Sequence, residues 1–373
     1  MVNQRKEMTA LVHRRLMRTL AARMEWHQML LRQFMKEQCY IWGTGQMARW
    51  PAALVRSVGG ECCFVDNNAE KWGTLVDGIS CISPQELRLV SDPLVLIGVG
   101  HGTAVACQLA DMGIRRIVEA SDLYLSSRAG AERINADTVA EQVAECYDCF
   151  TDEYSRTVFF ERLHGYCHFE TAYMPPRYYD AICRDNQYFQ DDLIHFTGES
   201  VLVDCGAYTG DTLADFLQRG YPFRKYIAYE LSRQNYEMLR ENMRAADRGE
   251  GMCVAYNYGA GERDEKICYQ EAVSSTTFAA DGVEGEIVRL SDHLRDEPVS
   301  FIKMDIEGAE MGALRGAEDL IRRRRPDLAI CVYHSISDLY EIPLYIHSLV
   351  PEYRLYLRHH TPTAFETVCY AVI

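Results

Sequence analysis

Long apolar runs are missing from this sequence of 373 residues: it has no segment of about 18 apolar residues, the length that a membrane-spanning helix needs. No secretory signal is expected either, because arginines interrupt the apolar residues of the cationic N-terminus. The 14 cysteines lack regular spacing, which argues against a disulfide scaffold and predicts a reducing, cytoplasmic location. An excess of basic charge is also lacking, and the net charge of −15 disfavours nonspecific binding to nucleic acid or anionic membranes.

The length predicts two domains, and a segment of different charge precedes them. Residues 1–38 contain eight Lys or Arg and three Asp or Glu, whereas the remainder is acidic. Apolar side chains recur there at helical spacing: Leu11, Leu16, Leu20, Met24 and Leu31. Residues 1–38 are therefore predicted to form an amphipathic helix that packs on the next domain or on a second subunit. A helix lying on a membrane surface is the alternative.

Residues 39–125 alternate short apolar strands with glycine turns and helices, which predicts a small Rossmann-like domain. Gly43 and Gly45 follow the first strand in the spacing Gly-x-Gly-x-x-Ala. Asp66 follows the second strand, where an acid would meet a ribose. These three residues are the candidates for a second nucleotide site.

The same segment resembles the small nucleotide-sugar or NAD-type domains of bacterial surface-polysaccharide enzymes. The resemblance lies in the GxG turn, the strand end VDNN at 65–68 and the turn ISPQEL at 82–87. It implies NAD(P) or a nucleotide-sugar as a ligand. No Tyr-x-x-x-Lys follows, so short-chain dehydrogenase chemistry is not supported. Ligand binding and a purely structural role both stay open.

Residues 126–197 are expected to form a helical connector. Five of its side chains could be grouped as a zinc site: Cys146, Cys149, His164, Cys167 and His168. The first two lie in a helical pattern and the second half lacks a clean ligand pair, so no zinc site is predicted. The run Gln187–Phe189 comes just before the next domain and is expected to cover a ligand in its first crevice.

The chain is organised around VLVDCGAYTG at residues 201–210. A buried strand ends at Asp204, Gly206 and Gly210 form a turn, and an amphipathic helix follows. Strand, glycine turn and helix form an arrangement that cradles nucleotides. A second strand ends at Glu230, whose carboxylate can accept both ribose hydroxyls of an adenosine. The spacing Asp-x-Gly-x-x-x-Gly differs from the dinucleotide pattern and resembles the first motif of class I S-adenosylmethionine (SAM) methyltransferases.

Strands and helices alternate across residues 198–373, which predicts a parallel, doubly wound sheet. A short loop joins the last two strands, so they are expected to form an antiparallel hairpin at the sheet edge, as in class I methyltransferases. The insertion 267–288 is long enough to form a flap. The predicted fold class is α/β: a class I methyltransferase Rossmann-like sheet with a C-terminal β-hairpin, a smaller N-terminal Rossmann-like domain and a helical N-terminus.

Residues 185–373 resemble the FkbM-type methyltransferases in detail. The similar motifs are VDCGAYTGDT at 203–212, AYELSRQNYEMLREN at 228–242 and FIKMDIEGAEMGALRGA at 301–317. The closing run from LAICVYH to YLRHH and ETVCYAV agrees as well. Leu231 departs from the family, which often has Pro there. The resemblance implies SAM-dependent O-methylation, often of sugars or polyketide-type hydroxyls, and leaves the acceptor open.

The SAM site expected from these patterns combines the glycine turn with residues at the ends of the second, third and fourth strands. Its members are Asp204, Gly206, Ala207, Tyr208, Gly210, Asp211, Thr212, Glu230, Leu231, Gly259, Ala260 and Asp305. Of these, Gly259 and Ala260 would leave room for adenine.

Methyl transfer to oxygen needs one general base and an aligned acceptor. His334, at the end of the fifth strand, is the first candidate, because a neutral imidazole titrates near working pH. Asp305 and Glu307 are the alternative, since their spacing can present oxygens to a divalent cation or a sugar hydroxyl. His359 and His360 are the next candidates.

Three functions fit these patterns. The first is a SAM-dependent O-methyltransferase with a glycan or small-molecule acceptor, and a homodimer is an expected assembly. The second is a non-catalytic nucleotide-binding module that regulates or scaffolds. The third is a bifunctional sugar-modifying enzyme that uses NAD in its first domain, which the missing Tyr-x-x-x-Lys disfavours.

Overall fold

The computed structural model describes residues 2–99, 102–129, 136–167, 181–247, 252–271, 276–278, 282–361 and 363–373. The elements before residue 170 are α1 (Val2–Leu11), α2 (Met17–Phe34), β1 (Cys39–Trp42), α3 (Gln46–Ser57), β2 (Cys62–Val65), β3 (Leu75–Val76), β4 (Ile79–Ile82), α4 (Pro84–Leu87), β5 (Leu94–Ile97), α5 (Gly102–Asp111), β6 (Arg116–Glu119), α6 (Ala120–Arg128), α7 (Ala136–Cys149) and α8 (Glu153–Cys167).

The later elements contain the glycine-rich stretch that centres the sequence. They are β7 (Val201–Cys205), α9 (Asp211–Gln218), β8 (Lys225–Tyr229), α10 (Arg233–Ala246), β9 (Cys253–Tyr256), β10 (Gly259–Ala260), β11 (Glu265–Glu271), β12 (Thr276–Phe278), β13 (Val283–Val288), α11 (Leu290–His293), β14 (Phe301–Met304), α12 (Glu310–Gly316), α13 (Glu318–Arg324), β15 (Asp327–Cys331), α14 (Asp338–Leu349), β16 (Arg354–His359) and β17 (Thr367–Val372).

The N-terminal helix is present, but its buried face differs from the predicted one. A π-helical stretch, Val12–Leu16, separates α1 from α2. A π turn adds a residue to the helical repeat, so the face that points inward rotates after it. Within α2, Met24 is 44% exposed although Leu20 is buried. The buried apolar side chains are Met8, Val12, Leu16, Leu20, Trp26, Leu30 and Phe34. These helices pack on α6, α7 and α8 of the same chain.

The first sheet has the strand order β3-β4-β2-β1-β5-β6, and its five strands other than β3 run parallel. Its central strands β1 and β5 are apolar and fully buried, as expected for strands covered on both faces. We call residues 39–119, which form this sheet and its helices, the amino-terminal unit. The division of the chain into segments 1–38, 39–125, 126–197 and 198–373 stays a prediction.

The second sheet has the order β16-β17-β15-β14-β7-β8-β9. The five strands from β15 to β9 are parallel, and β17 pairs antiparallel with both β15 and β16. The predicted edge hairpin is therefore present. Every residue of β7 is buried, consistent with its apolar run at the sheet centre. The order places the ends of β7, β14 and β15 side by side at one edge.

Three segments differ in detail from the sequence pattern. The apolar spacing of residues 310–323 predicts a single helix, but the structure breaks it at Ala317 into α12 and α13. The expected flap forms strands β11 to β13, which pair with one another and with β10 in a four-stranded sheet. The described range 181–197 is irregular, so that part of the connector is not helical. In the described part of the chain, no helix has both the length and the apolar character needed to cross a bilayer.

Candidate active site

The glycine turn after β7 has the backbone geometry that its sequence predicts. Gly206 and Gly210 have φ values of +78° and +94°, in the left-handed region that glycine tolerates best. A Cβ at Gly206 would collide with the carbonyl oxygen of Asp305. The amides of Gly206 and Ala207 donate to the carbonyl of Tyr229, at 3.0 and 3.1 Å. The turn is therefore fixed against both neighbouring strands.

Glu230 lies directly after β8 and closes the other side of the turn. Its Oε2 accepts the amide of Tyr208 at 2.8 Å, and its Oε1 accepts the amide of Ser232 at 2.8 Å. Burial raises the pKa of Glu230 to about 7, although both amide hydrogen bonds act against this shift. Each carboxylate oxygen retains a free lone pair, so hydrogen bonds to ribose hydroxyls are compatible with these contacts.

The other residues expected around an adenosine also lie at this edge. A Cβ added at Gly259 would lie 3.5 Å from the Leu231 side chain, so the two expected residues are neighbours. The side-chain amide of Asn257 donates to the backbone carbonyl of Leu231 at 3.0 Å. Ala260 is buried in the short strand β10. Asp211 and Thr212 begin α9, where Thr212 is buried and burial raises the pKa of Asp211.

Asp204 is buried, 2% exposed, and each of its carboxylate oxygens has a partner within the protein. Its Oδ1 lies 2.9 Å from the Lys303 ammonium, and its Oδ2 accepts the Tyr226 hydroxyl at 2.7 Å. Lys303 also donates to the carbonyl of Gly206 at 2.8 Å. Asp204 therefore supports the glycine turn through Lys303, a role that its position in the motif alone does not reveal.

Asp305 follows β14 and faces the turn. Its Oδ2 accepts the Tyr188 hydroxyl at 2.7 Å, and its Oδ1 accepts the Tyr333 hydroxyl at 3.0 Å. Burial raises its pKa, but Lys303, His334 and the two hydroxyls together lower it below the usual range. Asp305 is therefore an ionised hydrogen-bond acceptor. The Gln187–Phe189 segment contributes Tyr188 to it, at the crevice where that segment was expected.

His334 follows β15, as expected, but its surroundings differ from those of a neutral base. Its Nδ1 lies 3.1 Å from Glu310 Oε1, and its Nε2 lies 3.5 Å from Asp305 Oδ1 and 3.8 Å from Glu307 Oε2. Burial alone would lower the pKa of His334, but these carboxylates raise it to about 10. The ring is therefore an imidazolium at neutral pH, with both nitrogens protonated. It cannot accept a further proton, which disfavours His334 as the general base.

Glu307 is the acid of this group with the most open side chain, 36% exposed. Burial of the carboxylate raises its pKa to about 7, and His334 partly offsets the shift. Its backbone φ is +59°, an unusual value for a residue with a side chain. Tyr124 and Arg128 of α6 contact Glu307, although neither residue was singled out from the sequence.

Three further acidic groups were also missed. Glu310 is fully buried, and its Oε1 accepts the amide of Ile306 at 2.7 Å. Glu366, from the hairpin connection, accepts the Gln187 side chain, and burial raises its pKa to about 8. Burial also raises the pKa of Asp338 to about 6. The signal for Glu310 was present in the sequence: it lies one helical turn beyond Glu307 at the start of a helix.

A divalent cation was one expected ligand of Asp305 and Glu307. Potential ligand atoms of Asp305, Glu310 and His334 lie within 4.8 Å of one another. Both ring nitrogens of His334 face carboxylates, so the imidazolium already supplies a positive charge between them. A cation at this place would have to displace that charge, and the fit is therefore poor.

The second candidate nucleotide site is filled by contacts of its own. Asp66 Oδ2 accepts from Thr44 at 2.7 Å and from Lys71 at 2.8 Å, and its Oδ1 accepts the amide of Asn68 at 2.9 Å. Gly43 has the expected positive φ, +102°, and Val99 packs against it. Gly45 precedes α3, as the fingerprint requires. Asp66 therefore serves as a structural acceptor in this turn, which favours the structural interpretation.

The other candidates have structural contacts too. Burial raises the thiol pKa values of Cys146 and Cys167, which opposes the thiolate that zinc needs. His168 lies outside the described residues. His359 Nδ1 lies 2.8 Å from the Thr367 hydroxyl, and His360 Nδ1 lies 2.8 Å from the carbonyl of Arg184.

The sheet order, the edge hairpin and the glycine turn at the strand ends define a class I methyltransferase fold. Comparisons with known proteins agree with it. Residues 204–361 match the family model for the methyltransferase FkbM domain.

Two relatives extend the comparison. Methyltransferase 1 of Beauveria bassiana (strain ARSEF 2860) is 27% identical over 158 residues, and the match covers 34% of this chain and 62% of that protein. The chain therefore spans less than two thirds of that relative. The crystal structure of Methyltransferase FkbM from Methylobacillus flagellatus KT is 25% identical, with a TM-score of 0.62, and the match covers 93% of this chain and 92% of that one.

Proposed function

We propose that the protein is a SAM-dependent O-methyltransferase that acts on a hydroxyl of a sugar, a glycan or another small molecule. The observation that carries the proposal is the contact between the glycine turn and the acid-bearing loop. Gly206 lies directly against the backbone of Asp305, so the glycine turn adjoins the loop that carries the acids at 305 and 307. The FkbM domain supports the same reaction class.

The residues of the crevice fit SAM. Gly206 has no side chain, which lets the glycine turn pack against the backbone of Asp305, and Glu230 presents its carboxylate at the other side of the turn. The side chains of Leu231 and Ile287, which both lie against Gly259, offer an apolar surface for adenine. When bound, SAM supplies a methyl group carried on a positively charged sulfur. Asp204 acts one step away, through Lys303 and the turn.

The chain itself must orient the acceptor hydroxyl and remove its proton. We assign the base to Glu307. A carboxylate with a pKa of about 7 is ionised in a large fraction of the molecules near neutral pH, and it still accepts a proton readily. His334 is protonated and holds the carboxylates together. Asp305 has a lowered pKa and two hydroxyl donors, which suits it to orienting groups better than to taking a proton.

A hydroxyl acceptor suits this chemistry. Asp305 and Glu307 can accept hydrogen bonds from a polyol, and Tyr333 lies beside both the acids and Phe365 at 5.7 Å between ring centroids. Aromatic faces next to carboxylates suit a sugar ring, which has apolar faces and a hydroxylated edge. The sugar class of acceptor, a cytoplasmic location and a homodimer remain parts of this proposal.

The test is release of S-adenosylhomocysteine from SAM by the full chain. The acceptor probes are simple methyl glycosides and UDP-glucose, each compared with a reaction without acceptor. Release that depends on one of these probes supports the proposal. SAM binding in calorimetry without release with any probe would favour the non-catalytic module, and absence of SAM binding would overturn the proposal entirely.

An NAD-dependent first domain is not supported by the contacts of Asp66. If Asp66 held a ribose, its carboxylate would have to give up Lys71 or Thr44. A thermal-shift screen with NAD, NADP and UDP-sugars tests this alternative separately from SAM binding. A shift with any of them would restore the second ligand site to the proposal.

A further inference from the structure

Helix α6, which directly follows the last strand of the first sheet, contacts the acid-bearing loop of the second. Arg128 donates through both terminal nitrogens to the carbonyl oxygen of Glu307, at 3.1 and 3.2 Å. Tyr124, one helical turn earlier, donates its hydroxyl to Glu307 Oε2 at 3.4 Å and accepts a hydrogen bond from Arg128. One face of α6 therefore contacts both the backbone and the carboxylate of Glu307.

The backbone held in this way is strained. Glu307 has a φ of +59° and Gly308 a φ of +93°. The left-handed conformation is unfavourable for a residue with a side chain, so it persists only where surrounding contacts impose it. A Cβ at Gly308 would collide with the Arg128 guanidinium, which means that the glycine leaves the space that the arginine fills.

We propose that Arg128 and Tyr124 are positioning residues of the methyl-transfer site, holding the Glu307–Gly308 turn so that the Glu307 carboxylate faces the acceptor. This inference rests on the proposed function. It makes α6, which directly follows the amino-terminal unit, part of the methyl-transfer site. Trp50 of α3 packs edge-to-face on Tyr124, with ring centroids 5.4 Å apart, and supports α6 from within that unit.

The charges around Glu307 give this role a measurable signature. The groups that face its carboxylate are His334, Asp305, Glu310, Glu366, Arg128, Tyr124 and Tyr333. The cations His334 and Arg128 lower the pKa of Glu307, and the acids Asp305 and Glu310 raise it. Loss of the Arg128 charge should therefore raise that pKa and move the acidic limb of the rate profile to higher pH.

The variants are Arg128→Met, Arg128→Lys and Tyr124→Phe in the full chain. Arg116→Met is the matched control for arginine, because Arg116 makes a two-point contact with Glu37 in the amino-terminal unit. Tyr40→Phe is the control for tyrosine, since Tyr40 and Tyr124 are each 8% exposed. The readouts are SAM affinity by calorimetry, turnover against pH, and hydrogen exchange of peptide 305–310 in the SAM-free protein.

In Arg128→Met we expect exchange of this peptide to rise, turnover to fall on the order of 10- to 100-fold, and the acidic limb to move upward, with SAM affinity within twofold of wild type. Arg128→Lys should raise exchange but leave the limb in place, because the charge remains. Tyr124→Phe should lower turnover without moving the limb as far as Arg128→Met does. The two controls should leave exchange and limb unchanged.

Unchanged exchange and an unchanged limb in Arg128→Met, in a protein whose wild type transfers methyl groups, would overturn the inference. A tenfold loss of SAM affinity in that variant would overturn it too, because Arg128 would then act on the cofactor side. Failure of the proposed function would give a different result, because the wild type itself would not bind SAM or would not transfer methyl groups. The exchange measurement needs neither SAM nor acceptor, so it tests the clamp on the turn in either case.

Discussion

Lys303 and Asp204 form an ion pair of 2.9 Å on adjacent strands in the centre of the second sheet, where their side chains are 3% and 2% exposed. Lys303 also binds the carbonyl of Gly206, so the pair ties β14 to the glycine turn. Strands β7 and β14 and the glycine turn are therefore held together by one buried ion pair.

Removing one partner should be costly. Lys303→Met leaves the Asp204 carboxylate buried without its counter-ion, and we expect a loss of about 3–5 kcal/mol in the free energy of unfolding. Urea denaturation measures it. The control is Lys225→Met on the neighbouring strand, whose partly exposed pair with Glu297 should cost less than about 1 kcal/mol. Equal losses in both variants would contradict the structural role of the buried pair.

SAM affinity should depend on Glu230. Glu230→Gln keeps the shape but replaces one accepting oxygen with an amino group that would face the amide of Tyr208 or Ser232. Loss of a charge-assisted hydrogen bond costs about 1.5–3 kcal/mol, so the dissociation constant should rise at least about tenfold in calorimetry. Glu237→Gln, which breaks only an exposed pair with Arg240, is the control. Affinity within twofold of wild type in Glu230→Gln would remove Glu230 from the cofactor site.

Turnover should depend on Glu307 and on pH. As a base with a pKa of about 7, Glu307 is active when ionised, so the rate should rise as pH increases through about 7 and then level off. Glu307→Gln should lower turnover about 10²- to 10⁴-fold and leave SAM affinity unchanged. Glu318→Gln, at an exposed pair with Arg322, controls for loss of an acid. A variant that retains turnover and the same pH profile would exclude Glu307 as the base.

The charge on His334 predicts how stability depends on pH. Its pKa is raised in the folded state from 6.5 to about 10, so its contribution is fully present below pH 6.5 and is lost as pH rises through about 10. The difference in unfolding free energy between wild type and His334→Gln should therefore be largest near pH 6 and shrink toward pH 10. Denaturation series at several pH values measure this, and a difference that does not vary with pH would show that the ring is neutral.

Chelation should leave the enzyme active. The imidazolium of His334 already balances Asp305 and Glu310, so the acid cluster does not require a divalent cation. The measurement is turnover after treatment with EDTA, compared with the same protein after Mg²⁺ or Mn²⁺ is restored. If activity is lost on chelation and returns with the metal, a divalent cation is needed beside these acids, and the imidazolium of His334 does not suffice to balance them.

The sequence of the second sheet was highly informative, because strand order and glycine turns leave local signatures. The spacing of Asp204, Gly206 and Gly210, with Glu230 after the next strand, predicted the cradle that the structure contains. The break at Ala317 and the rotated face of the N-terminal helix were not predictable, since a π turn or a helix break depends on tertiary contacts more than on apolar spacing.

The sequence by itself determined which residues stand at the ends of the strands, and hence the fold class and the place of the crevice. Only the tertiary structure decided what each of them does there. Whether His334 is neutral or charged depends on Glu310 and Asp305, which approach it from other elements. Likewise, Arg128 lies 179 residues from Glu307, and a contact over that separation leaves no periodicity in the chain. Protonation and orientation are set by neighbours in space, which is why the pattern located the site and the fold assigned its chemistry.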